Sequence, residues 1–267
     1  MKQLVEAVLT YGIAGFFRKY IDFLKHRRQV RLQGLAFDII LSVGPACRSG
    51  FYLKKHSLRF CAAPLDWMMR YSLETAVHLY KTRFADFFVD FVQDSKQAEE
   101  RKLKGYFVDT RNQITSIHYS DVGNNNGQPF REKMKNRFEK VNKLLLKADD
   151  ICFLSNRNED VSLIKNFLNE MGKMYQGKIT YINIRHDRTK DFSAPPPHKY
   201  YSEKLSDRLK LIEFEFYDVH PLGGDKTINE DFWLGNPVEW DNVMEKIKLK
   251  RNLKFLRICK NNKISNS

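Results

Sequence analysis

A chain of 267 residues with 42% hydrophobic residues can bury a core as one large domain or two small ones, and its composition excludes global disorder. Cys47, Cys61, Cys152 and Cys259 lie far apart and form no C-x-x-C pair, which argues against a disulfide scaffold or zinc ribbon and for a reducing compartment. The net charge of +14 is concentrated at the two ends: residues 1–31 hold seven Lys or Arg against two acids, and residues 246–267 hold eight and no acid. The body between them is close to neutral. A nucleic-acid enzyme would carry its charge along a substrate groove, so nucleic acid is disfavoured as a partner. Two basic ends instead suit docking on an anionic membrane surface, through residues 1–31 and 246–267.

The expected organisation is an N-terminal amphipathic and basic helix (1–33), an α/β domain (34–245) and a basic C-terminal helical tail (246–267). In the first segment Leu4, Val8, Ile13, Phe16, Tyr20 and Leu24 contribute to a wide apolar face that runs into Lys25-His26-Arg27-Arg28. Its charge-free run from Ala7 to Phe17 is too short to cross a bilayer, and Glu6 with no small-residue cleavage site argues against a signal peptide. Two placements remain: a helix lying on the membrane, or one packed on the domain with a solvated basic end. The expected location is the cytoplasm, with peripheral attachment to the inner membrane face as one option.

Leu35–Leu41 has strand composition and stops at the turn residues Ser42-Val43-Gly44-Pro45, after which a helix is expected from about Ala46 to Lys55. Pro64-Leu65-Asp66-Trp67 reads as a second helix start with Asp66 as cap, and helical patterning continues with breaks to Lys104. Residues 106–109 and 114–119 flank a polar turn as a hairpin, and Pro129 opens a helix on which Phe130, Met134, Phe138, Val141 and Leu145 recur at helical spacing. Residues 151–154, 161–174 and 179–184 read as strand, helix and strand, a βαβ unit that favours parallel pairing. A Pro-rich loop covers 193–198, a short helix is expected over 202–209, and 211–217 alternates as a strand. Trp233 and Trp240 are expected to pack the last helix. The fold class is α/β: a central mixed, largely parallel sheet flanked by helices in a single domain.

Cys47, His118, Asn156, His186 and His220 all fall at or just past the carboxyl ends of expected strands, where α/β sheets bind ligands. Cys47 has the best surroundings for chemistry. A helix N-terminus offers free N–H groups and a positive dipole end that favour a thiolate, while Gly44 permits a tight turn and the N–H groups from Ala46 to Arg48 could hold an oxyanion. A small buried cysteine without chemistry is the alternative. His118, with Asp121 three residues on, is the preferred base, because a nucleophilic Cys needs an imidazole in reach and the imidazole an orienting acceptor. His220 and then His186 are the alternative bases. No H-E-x-x-H, P-loop or G-x-G-x-x-G is present, so no metal or cofactor is expected.

Ser42-Val43-Gly44-Pro45-Ala46-Cys47, followed by Leu58-Arg59 and Pro64-Leu65-Asp66-Trp67, resembles the S-L-G-x-x-C … L-R … P-F-D-W signature of a bacterial family described as "putative papain-like cysteine peptidases". Ile117-His118, Arg137-Phe138, Trp233-x-Gly235 and Trp240 resemble its later motifs, so the resemblance spans residues 37–245 and leaves the basic ends outside. It implies Cys47 as nucleophile and His118 as base, acting on an unidentified acyl or peptide substrate. The family histidine is usually followed directly by Asp, whereas here the order is His118-Tyr119-Ser120-Asp121. Three functional readings therefore stand: a Cys-His thiol hydrolase or acyl-transfer enzyme, a membrane-associated transferase of bacterial surface glycan biosynthesis, and a nonenzymatic basic binding protein.

Overall fold

A computed structural model of the protein describes residues 35–189, 199–250 and 255. The expected N-terminal helix, the Pro-rich loop at 193–198 and the tail after residue 250, apart from Phe255, lie outside the described residues.

The main sheet is built from β2 (Ile39–Ser42), β7 (Asp150–Ser155), β8 (Lys178–His186), β10 (Leu209–Phe216) and β9 (Lys199–Lys204), in that spatial order. The pairs β2–β7, β7–β8 and β8–β10 are parallel, and β9 closes the edge antiparallel to β10. Its inner strands are apolar on both faces because both are covered. On one side Ile151, Phe153, Ile179, Tyr181 and Leu211 join a core with Phe130, Met134, Phe138, Val141 and Leu145 of α4 (Gln128–Leu145) and Ile164, Phe167, Leu168 and Met171 of α5 (Val161–Met174). On the other, Cys152, Leu154, Ile182, Ile184, Ile212 and Phe214 meet Tyr52 and Leu53 of α1 (Cys47–Lys55) and Trp240, Val243 and Met244 of α6 (Pro237–Met244). The two core lists alternate residue by residue along β7 and β8, as period-two side chains require. β7–α5–β8 is the expected βαβ unit.

A second, antiparallel sheet lies between β2 and β7 in the chain. Its order is β3 (Met68–Met69), β6 (Ile114–Ser116), β5 (Phe107–Asp109) and β4 (Phe91–Gln93), and β5–β6 is the expected hairpin. Helices α2 (Leu73–Lys81) and α3 (Ser95–Glu100) are inserted into it. The fold is thus mixed α/β with a central, largely parallel sheet.

Three local expectations are corrected. Pro64–Trp67 does not start a helix: α2 begins at Leu73 with Ser72 as its cap, the Ser72 Oγ accepting from Thr75 N at 3.1 Å, while Asp66 turns inward to other partners. The helical pattern toward residue 104 is interrupted by positive φ at Arg83, Phe84 and Phe88, followed by β4. Residues 199–204 form an edge strand where a short helix was expected nearby: a strand with one neighbour and an open face needs no apolar alternation, so its polar composition hid it. The packed body also runs past residue 245. Ile247 and Lys248 are buried, and β11 (Lys248–Leu249) pairs parallel with β1 (Ala36–Phe37). Among the described residues no helix is long and apolar enough to cross a membrane.

Candidate active site

The site begins where β2 ends. Val43 N donates to Leu154 O at 2.9 Å, then the chain turns through Gly44 and Pro45, and extended Ala46 caps α1 with no side-chain bond. The turn is closed tightly, since a Cβ on Gly44 would lie 2.3 Å from Ser49 Oγ and 2.8 Å from Asn156 Oδ1. Ser42 and Ser49 hydroxyls bond at 2.7 Å across it. From below, the fully buried Arg157 guanidinium donates through Nε to Val43 O and through Nη2 to Tyr71 O, both at 2.9 Å, and pairs with Glu159. Cys47 is therefore the first helical residue of α1, with the backbone N–H groups of the opening turn unclaimed by any side-chain cap.

His118 arrives from the second sheet, two residues past β6. β6 pairs with β3, and Arg70 N, just beyond β3, donates to Pro45 O at 2.8 Å, which ties that sheet to the turn before Cys47. A Cβ on Gly50 would sit 2.4 Å from Asp66 O, so α1 packs directly on the backbone leading into β3. Asp66 is held by Arg59 Nη1 at 2.7 Å and Ala63 N at 2.9 Å, and burial pushes its carboxyl up to about 6 despite both donors. The next residue, Trp67, sets its ring edge-on to His118 at 5.5 Å. The outcome is Cys47 Sγ at 3.1 Å from His118 Nε2.

Burial decides the protonation of this pair. It pushes the Cys47 thiol up to about 12, with a smaller contribution from the Asp66 charge and a backbone hydrogen bond pulling the other way. Burial likewise lowers the His118 imidazole below its ordinary value. Both shifts run against the thiolate expected from the helix N-terminus: burial, the largest cause in each, favours a neutral thiol beside a neutral imidazole.

Of the other expected residues, Asp121 has a different partner. Its carboxylate pairs with Lys133 on α4, and no carboxylate hydrogen-bonds His118 among the described residues. His186 Nδ1 accepts from Asp218 N at 3.0 Å and His220 Nδ1 from Leu222 N at 3.2 Å, and neither ring bonds Cys47. Arg48, expected only as a turn or oxyanion neighbour, anchors the helix. Its Nε donates to Trp233 O at 2.6 Å and its Nη1 pairs with Asp218, whose Oδ1 also accepts from Trp240 Nε1 at 2.9 Å and Asn236 N at 3.0 Å. Tyr52 stacks on Trp240 at 4.6 Å, and its hydroxyl donates to Leu234 O. Gly235, at φ 68°, passes so close that a Cβ there would lie 1.9 Å from Asp218 Oδ1. Neither Asp218 nor Arg157 was singled out by sequence for these roles, because Arg48 and Trp240 lie far from the first, and Val43 and Tyr71 far from the second, along the chain. Among the described residues no three His, Cys, Asp or Glu side chains gather as a metal site.

A family model described as "Putative papain-like cysteine peptidase (DUF1796)" matches residues 38–187, more than half of the chain. The chain belongs to this family. Searches of curated proteins and of solved structures found no match. The family region contains both Cys47 and His118 and ends one residue past β8. Asp218, Trp233, Gly235 and Trp240, which fasten α1 from outside, come from beyond it.

Proposed function

We propose that this member of the family is a thiol-dependent hydrolase or acyl-transfer enzyme with Cys47 as nucleophile and His118 as general base. One observation carries the reading: the 3.1 Å contact between Cys47 Sγ and His118 Nε2 at the head of α1. Geometry of this kind is what an activated thiol requires. The neutral resting pair sets the order of events. The thiol proton passes to Nε2 as Sγ attacks a substrate carbonyl carbon, and the carbonyl π pair moves onto oxygen. Collapse of the tetrahedral intermediate expels the leaving group, which takes its proton from the imidazolium. Water or another acceptor then removes the acyl group from sulfur with His118 again as base. The free N–H groups at the start of α1 support stabilisation of the oxyanion. The substrate class is an ester, thioester or amide carbonyl. A thiol-directed electrophile followed by peptide mapping tests the assignment: the adduct is expected on Cys47 and absent in Cys47→Ala, with acyl transfer lost in Cys47→Ser and His118→Ala. Modification confined to half-buried Cys61, with Cys47 untouched in the folded protein, refutes it.

A further inference from the structure

β2 and β7 run parallel and in register, with Ser42 opposite Leu154. Two residues further along each chain stand Gly44 and Asn156, side by side at the sheet edge from which Cys47 rises. Among the described residues Asn156 Oδ1 is buried with no hydrogen-bond partner, and it lies against Gly44, at 2.8 Å from the position of a Cβ there. An orphaned amide oxygen in such a place is unfavourable by about 1–3 kcal/mol, a cost whose retention calls for an explanation such as a catalytic role. The residue as a whole is only partly covered, so its amide is not sealed in the core. A side-chain amide beside the turn that presents the nucleophile, against Gly44 three residues ahead of Cys47, is the kind of group an acyl oxyanion calls for.

We infer that Asn156 is a further catalytic residue, whose Nδ2 donates to the oxyanion formed when Cys47 attacks a carbonyl. The inference rests on the acyl-transfer reading above. In the step itself Sγ–C forms, the C=O π pair becomes an oxygen lone pair held by Nδ2–H and the α1 backbone, and the thiol proton resides on His118 Nε2. No proton moves to or from Asn156. Gly44 has no Cβ, and this keeps the amide close to the turn; any other residue there would push it out.

Two reactions at the same sulfur separate this role from a structural one. Acylation by a p-nitrophenyl ester passes through an oxyanion, whereas alkylation by iodoacetamide is a direct displacement at carbon and forms none. In the full chain, Asn156→Ala and the volume-preserving Asn156→Leu are expected to slow acylation about a hundredfold, the usual loss for one oxyanion donor, with Cys47 alkylation nearly unchanged. Parallel loss of both reactions, or loss of neither, overturns the role. A wild-type protein alkylated at Cys47 but never acylated removes the acyl-transfer reading itself, and the role of Asn156 with it. Folding of each variant is read from its circular dichroism, and Asn156→Leu keeps the test open if the alanine variant unfolds.

Discussion

Replacing Gly235 with alanine probes the clamp on α1 from its weakest point. Gly235 has φ 68° and ψ −144°, a region that residues with a side chain avoid, and occupying it costs of order 1–3 kcal/mol. The added methyl would also sit 1.9 Å from Asp218 Oδ1 and 2.8 Å from Arg48 Nη1. Neither can yield freely. Asp218 is nearly buried and receives Arg48, Trp240 Nε1 and Asn236 N together. Pushing it aside strands donors in a dry environment, and wholly breaking a buried pair costs about 3–5 kcal/mol. With partial relaxation the sum is about 4 kcal/mol of stability, a large share of the 5–15 kcal/mol that a domain possesses. Urea unfolding followed by tryptophan fluorescence is a direct assay, because Trp233 and Trp240 both lie on the clamp. A variant within about 1 kcal/mol of wild type would refute the reasoning, by showing that this segment moves without consequence for Asp218.

Further outcomes follow from the same contacts. Because burial raises the Cys47 thiol from 9.0 to about 12, the folded chain keeps a proton that the unfolded chain loses; this group's stabilisation is full below about pH 9 and disappears as pH climbs toward 12. Alkylation of Cys47 is accordingly expected to accelerate steadily with pH beyond 9, and a plateau from neutral pH upward would reveal a preformed thiolate and contradict the neutral pair. Asp121→Asn removes only the half-exposed pair with Lys133, so acyl transfer is expected to stay within about twofold of wild type, and a hundredfold fall would restore Asp121 as the orienting residue. Arg157→Lys cannot reach Val43 O, Tyr71 O and Glu159 at once; a loss of about 3 kcal/mol is expected in urea unfolding, and an unchanged midpoint would show that the turn does not depend on this fork.

How much was legible in the sequence depended on how local the cause was. The strand 151–154, the helix 161–174 and the strand that follows announce themselves through their own periodicity, and the parallel sheet came with them. Cys47 was legible because Gly44 and Pro45 end one strand and the helix starts at once. His118 could be placed at a strand end, but not on a separate antiparallel sheet; that depends on β3–β6 pairing and the Arg70–Pro45 bond, between residues distant in the chain. The thiol's protonation was misjudged for a related reason. A helix end is visible in sequence, whereas the burial that raises the thiol is a property of the finished packing. Asp66 looked like a cap because acids before apolar runs often are, yet its partners Arg59 and Ala63 lie behind it. The edge strand β9 was missed because polar residues at a sheet margin carry no alternation to read.

The sulfur stands at the head of a helix that follows the parallel sheet and the imidazole just past a strand of the antiparallel one, so their contact works as a latch between the two. Unseating the hairpin sheet by a single ångström would part them while every parallel strand kept its ladder. Acyl transfer by this pair is thus expected to fall on gentle warming ahead of any change in the far-ultraviolet spectrum.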